Sequence, residues 1–210
     1  MAAQGDIGPA PRSTEQALKR FEQVASIWSH DLSFTLDQLG KVNADARSPL
    51  KGHFDISRVG TIGHSLGGAA VLQFAHDDSR VRAVFDIDGS PIWNAANGTL
   101  AKPLLVLSAG STTFVGYDAV LSGAKPGRHL RLSGSVHAFS KDFGLIPFMS
   151  HSAGNQPSAS PASGRAIDPA RALSVTAVYV EAFFDQYLNG KTAALLNGLS
   201  SDYPEVVFEK

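Results

Sequence analysis

An α/β fold, with a parallel sheet flanked by helices on both faces, is what this sequence predicts. Three observations predict it. Short apolar runs of strand length alternate with segments of helical period. The pentapeptide Gly63-His64-Ser65-Leu66-Gly67 falls where a strand gives way to a helix. The chain of 210 residues, 43% hydrophobic with a net charge of −1, has enough apolar material for one buried core. Strands that alternate with helices lie parallel and carry the helices as crossovers on their faces.

The elements follow in order. Residues 1–12 are small and Gly/Pro-containing, and are expected to be loose. Ser13 and Gln16 have capping-box spacing. From there Leu18, Phe21, Ala25, Trp28, Leu32, Leu36 and Leu39 keep a helical period, and Gly40 is read as the stop, so one long helix is expected over 14–39. A polar connector leads to a strand at Val59–Gly63 and a helix at Leu66–His76. Val81–Ile87 and Leu104–Ser108 are expected strands, a short helix is read at Tyr117–Ser122, and His129–Leu132 is a last strand. Residues 150–166, rich in Ser, Ala, Gly and Pro, read as a flexible loop. Asp168-Pro169 opens a final helix as N-cap and first residue, and Gly190 closes it. The whole chain, 1–210, reads as a single domain without repeats, and as a partial one for a reason given below.

Composition excludes several functions. A near-neutral chain with no basic run is not built for nucleic acid or acidic membrane surfaces. Without cysteine there is neither a disulfide framework nor thiolate chemistry. No stretch approaches the ~18 apolar residues of a membrane span, and Met1–Ser13 lacks the pattern of a secretory signal. Compartment stays open: the cytoplasm is slightly favoured, and secretion fits if the N-terminus is incomplete. His30, His53, His64 and His76 have no metal-ligand spacing, and Gly67-Gly68 lacks the lysine of a phosphate loop, so no metal or cofactor is expected.

The pentapeptide is a G-x-S-x-G motif between strand and helix, the context of a nucleophile elbow. The turn is expected to strain Ser65 and lift its hydroxyl above the sheet, with Gly63 and Gly67 leaving room for the chain to close. The N–H of Leu66 is then the expected oxyanion donor. A serine needs a base, and the base a carboxylate. His137 is the expected base, because it follows the last strand across the turn Ser133–Val136, whereas His76 ends a helix, His129 begins a strand and His151 lies in the loop. Asp88 is the favoured acid, being on the exit turn of its strand. Asp86, still inside that strand and read as structural, and Asp118, late after the next strand, are the alternatives. Asp77-Asp78 is read as a solvated pair. Trp93 and Phe139, close behind acid and base, and His64 beside the serine, are candidate pocket residues.

Four stretches resemble the type II platelet-activating-factor acetylhydrolase family and its bacterial relatives among the α/β-hydrolases. They are Asp55–Gly68, Phe85–Gly89, Lys102–Leu107 and Leu132–Phe143, the last with Gly134-Ser135-Val136-His137. The resemblance spans residues 14–190 and includes the closing helix. It implies a serine esterase whose acid follows the strand after the elbow, which is the place of Asp88.

A hydrolase of this kind carries further strands before its long helix, and the loop after one of them supplies a second oxyanion donor. No such strands or loop are read here. The chain therefore resembles the C-terminal two-thirds of a hydrolase with an apolar sheet edge exposed. A fragment, a mis-started reading frame and a protein that completes its sheet with another chain all fit. The expected function is ester hydrolysis through a Ser65–His137–Asp88 triad, on short-acyl, lipid-type or small carboxylic esters. A cutinase-like polyester hydrolase or general carboxylesterase, which would favour Asp118, is one alternative. An impaired hydrolase serving as an assembly subunit, with homo-oligomers formed through the exposed edge, is the other.

Overall fold

The computed structural model describes residues 13–91, 100–112, 116–137, 139 and 166–209. Helix α1 (Thr14–Ala44) starts as its sequence dictates, with Ser13 Oγ accepting the Gln16 N–H at 3.2 Å. It does not stop at Gly40. One glycine costs a helix only about 1 kcal/mol, and the extra turn is clamped from outside. Asn43 accepts the Phe54 N–H at 3.0 Å and donates to the Phe54 carbonyl at 2.9 Å. The stop is Asp45, whose carboxylate takes the Arg47 N–H at 2.9 Å and turns the chain away.

Five strands form the sheet among the described residues, in the order β1 (Val59–His64), β2 (Val81–Ile87), β3 (Leu104–Ala109), β4 (Gly127–Leu132) and β5 (Val206–Phe208). The first four are parallel, and β5 runs antiparallel to β4 with Leu132 opposite Val206. β5 escapes sequence reading because three residues carry no periodic signal. β4 begins two residues before the expected strand, at Gly127. Between the strands lie α2 (Leu66–Asp77), α3 (Tyr117–Gly123) and α4 (Pro169–Asn189). Helix α4 has the expected ends, with Asp168 accepting the Arg171 N–H at 3.0 Å and Gly190 left-handed at φ 68°.

Strand alternation splits the core into two layers. Phe85, Ile87, Leu105, Leu107, Leu130 and Leu132 face α4, where Val175, Tyr179 and Phe183 cover them. Val84, Leu104 and Val106 face the other way, against Val71, Leu72, Phe74 and Val120 of α2 and α3. Helix α4 comes so close to β1 that a Cβ on Gly60 would lie 2.5 Å from the Phe184 ring. α1 lies over α2 through Ala25, Ser29 and Leu36. Asp78 is not solvated as expected: its side chain is 10% exposed and accepts from Ser33 Oγ at 3.0 Å and Arg80 at 2.5 Å. Arg80 also reaches Asp37 on α1 at 2.6 Å, so this cluster joins the two helices.

β1 is the outermost strand of the described sheet, and its Ile62 is 44% exposed. Among the described residues no helix is long and apolar enough to cross a membrane.

Candidate active site

The C-terminal ends of β1 to β4 share one edge of the sheet, and the chemistry-bearing residues collect there. β1 ends at His64 and α2 begins at Leu66, so the chain turns within Ser65. Its φ of 58° and ψ of −123° are costly for a residue with a side chain. The turn is held by the Ser65 N–H, which donates to the Ile87 carbonyl at 2.9 Å. Gly63 is required, since a Cβ there would stand 2.2 Å from the Gly67 carbonyl oxygen. Gly67 is not, because nothing lies within 4 Å of its would-be Cβ. The second crowded position is instead Gly68, pressed against Asp86. Leu66 opens α2, and its N–H belongs to the first turn, which has no intrahelical acceptor.

Asp88 follows β2 directly, with φ 49° and no exposed surface. Its Oδ1 accepts the Ala109 N–H at 2.8 Å, and its Oδ2 accepts the Thr112 hydroxyl at 2.9 Å. Both donors come from the end of β3 and the loop beyond. Neither was found by sequence reading: a main-chain N–H has no sequence signature, and a threonine after a strand is ordinary loop composition. Asp86, two residues back, faces α2. It is fully buried, with Oδ1 accepting the Gly89 N–H at 3.0 Å and Oδ2 without a partner among the described residues. Burial pushes its carboxyl up to about 8, so it is mainly protonated at neutral pH. Beside it the Tyr117 hydroxyl donates to the Gly89 carbonyl, and burial raises this phenol well above its ordinary range.

His137 closes the set. Its Nδ1 is 2.5 Å from Asp88 Oδ2 and its Nε2 is 2.8 Å from Ser65 Oγ. The loop that carries it is anchored to the end of β3: the Gly110 N–H donates to Ser135 Oγ at 3.0 Å and the Ser111 N–H to the Ser135 carbonyl at 3.2 Å. Ser135 Oγ in turn donates to the Leu132 carbonyl at 2.6 Å. An imidazole bonded to a buried carboxylate and a serine hydroxyl can take that proton and hold the resulting charge beside the carboxylate.

The structure thus brings Ser65, Asp88 and His137 together, with Leu66 adjoining. Asp118 is exposed on α3, in a surface depression shared with His129, Phe208 and Glu209. His129 is tied to Ser108 Oγ at 2.9 Å, and burial lowers its pKa. His76 pairs with Asp77 at 2.7 Å. Phe139 is buried in the core layer that also holds Leu132, Ala172 and Val175. Trp93, His151 and the loop expected at 150–166, save residue 166, lie outside the described residues.

A family profile described as "PETase: PET hydrolase-like" matches residues 14–126, more than half of the chain. The chain belongs to the PET hydrolase-like family. Among solved structures, a ferulic acid esterase from Streptomyces cinnamoneus is similar to this chain, with a TM-score of 0.71 at 29% identity, over 90% of this chain and 55% of that one. The fold is that of an α/β-hydrolase esterase, as the sequence predicted. Two curated relatives carry the acetylhydrolase resemblance. A "Probable 1-alkyl-2-acetylglycerophosphocholine esterase" of Arthroderma benhamiae is 33% identical over 169 residues, 72% of this chain and 43% of that protein. A "Platelet-activating factor acetylhydrolase" of Cavia porcellus is 30% identical over 121 residues, 54% of this chain and 25% of that protein. The chain therefore spans less than half the length of the curated relatives it matches.

Proposed function

We propose that this chain is a serine carboxylic ester hydrolase that works through an acyl-enzyme on Ser65. The observation that carries the reading is the bridge made by His137, at 2.5 Å from Asp88 Oδ2 and 2.8 Å from Ser65 Oγ. His137 Nε2 takes the hydroxyl proton as Ser65 Oγ attacks the ester carbonyl. The carbonyl oxygen gains negative charge beside the Leu66 N–H, and one such donor is typically worth ~10²–10³ in rate. The C–O bond to the alcohol breaks, and His137 returns the proton to the departing oxygen. Water then attacks the acyl-enzyme with His137 again as base, releasing the acid and restoring Ser65. Asp88 holds His137 in one orientation and balances its charge throughout.

For substrate, the reading is a short-acyl ester, an acetyl ester above all. Support comes from the two curated relatives, both named for acetyl-ester hydrolysis. A second reading, an aromatic polyester or its diester fragments, is favoured by the name of the matching family. The assembly-subunit reading has the exposed Ile62 of β1 behind it. One experiment tests these together: fluorophosphonate labelling of the wild type beside Ser65→Ala, then hydrolysis of p-nitrophenyl acetate, a 2-acetyl phospholipid and an aromatic diester. Labelling lost in Ser65→Ala is the expected result. A folded wild type that takes no label overturns the hydrolase reading, and faster diester than acetyl turnover overturns the substrate assignment.

A further inference from the structure

His64, the residue just before the serine, does something the hydrolase reading leaves unused. Its Nε2 lies 2.6 Å from the main-chain oxygen of His137, and the two imidazole centroids are 4.7 Å apart at an interplanar angle of 35°. A carbonyl oxygen only accepts, so Nε2 carries the hydrogen and His64 is the donor. The bond falls on residue 137 itself, beyond the anchors that hold its loop at Ser135. It also starts from the residue covalently joined to Ser65. The elbow and the base loop are thereby fastened to each other at the point where Ser65 Oγ meets His137 Nε2, 2.8 Å away.

We propose that His64 is a positioning residue: through its Nε2–H bond to the His137 carbonyl it sets the reach of His137 to Ser65. This rests on the hydrolase reading above. The need for such a tether is visible in the elements it joins. Ser65 sits on a strained turn held through its N–H to Ile87, and His137 lies on a loop between the Ser135 anchors and buried Phe139. Asp88 holds the Nδ1 side of the imidazole, and the His64 bond holds the main chain that carries it. A misplacement of about 1 Å in such a pair costs on the order of 10²-fold in rate. The sequence reading placed His64 in a substrate pocket. The tether predicts instead that its loss lowers turnover and leaves substrate affinity alone.

The test uses the full chain and two variants that divide the side chain's properties. His64→Phe keeps a ring and removes the donor; His64→Gln keeps an N–H donor and removes the ring. Turnover of p-nitrophenyl acetate and the fluorophosphonate labelling rate are measured, with circular dichroism as the check on folding. His64→Phe is expected to lose about 10- to 100-fold in kcat and in labelling rate with KM within about two-fold, and His64→Gln to recover at least roughly a third of wild-type kcat. Three outcomes overturn the proposal: His64→Phe within about two-fold of wild type, KM rising while kcat holds, or a folded His64→Gln as slow as His64→Phe. A wild type that neither labels nor turns over defeats the hydrolase reading alone. The tether is then read directly from a ¹⁵N-histidine spectrum of the wild type, with the His64 ring signals assigned through their couplings to the sequentially assigned backbone of the wild type itself. A protonated Nε2 supports it, and a His64 protonated only at Nδ1 overturns it, whether or not either variant folds.

Discussion

Gly68 and Asp86 occupy one space: a Cβ on Gly68 would lie 2.0 Å from Asp86 Oδ1. Gly68, the residue directly after the elbow pentapeptide, therefore has no freedom to grow, while Gly67, inside the motif, has nothing within 4 Å of its would-be Cβ. Gly68→Ala must push a buried carboxyl aside, and is expected to destabilise the fold by about 1–3 kcal/mol, the usual cost of overpacking. Gly67→Ala is expected to leave stability unchanged or raise it by up to about 1 kcal/mol, since alanine is the better helix former. Urea unfolding of both variants checks the pair. Equal losses would refute the assignment of the crowded position.

Asp86 itself makes stability depend on pH. Its carboxyl is raised by burial from 3.8 to about 8, so between those values the native state keeps a proton that the unfolded state releases. The contribution is fully present below 3.8, falls as pH rises through the window, and is gone above about 8. The slope from this one group is at most about 1.4 kcal/mol per pH unit. Asp86→Asn keeps an oxygen for the Gly89 N–H and carries no titration. Its urea midpoint relative to wild type is expected to rise between pH 5 and pH 8, and a constant difference would sink the assignment.

The choice of acid has a kinetic signature. Asp88→Asn is expected to lower kcat by up to about 10⁴, because an amide no longer orients and balances the imidazole. Asp118→Asn, exposed on α3, is expected to stay within about two-fold. Thr112→Val removes one donor from the Asp88 carboxylate, worth about 1–3 kcal/mol, and is expected to cost roughly ten-fold or more in kcat with KM unchanged. Steady-state kinetics on one soluble ester ranks all three. A larger loss in Asp118→Asn would reverse the assignment.

Arg80 is the joint between α1 and the body of the domain. It is partly exposed, so its ion pairs with Asp37 and Asp78 are screened, but Asp78 is nearly buried and also serves Ser33 on α1. Arg80→Ala is expected to cost about 1 kcal/mol after that discount, and the loss should appear first as faster amide exchange in α1. Global unfolding without local loosening of α1 would contradict the role given to this cluster.

Much of the architecture was legible locally. Ser13 with Gln16, Asp168 with Pro169, and Gly190 marked helix ends because a cap is a bond between neighbours in sequence. The buried strands were legible as apolar runs, and the elbow as strand, serine, helix. What escaped depended on distant partners. The final turn of α1 exists because Asn43 meets Phe54, Asp78 is paired because Ser33 and Arg80 reach it, and β5 exists because β4 offers it an edge.

The same division runs through the site. By itself the sequence determined the order Ser65, Asp88, His137, each just past a strand end, because strand length and turn residues are written in consecutive positions. The sequence favours Asp88 over Asp86 and Asp118, but only the tertiary structure decided the surroundings that set Asp86 and Asp88 apart. They stand two residues apart at one strand end. The sheet register sets Asp86 opposite Val106 and under Gly68, where burial keeps it protonated. It carries Asp88 past the last paired residue, Ile87 opposite Leu107, to the Ala109 N–H, the Thr112 hydroxyl and His137. A carboxylate's role is set by the donors around it, and those of Asp88 come from the end of β3, the loop beyond it and the loop after β4, far away in the chain.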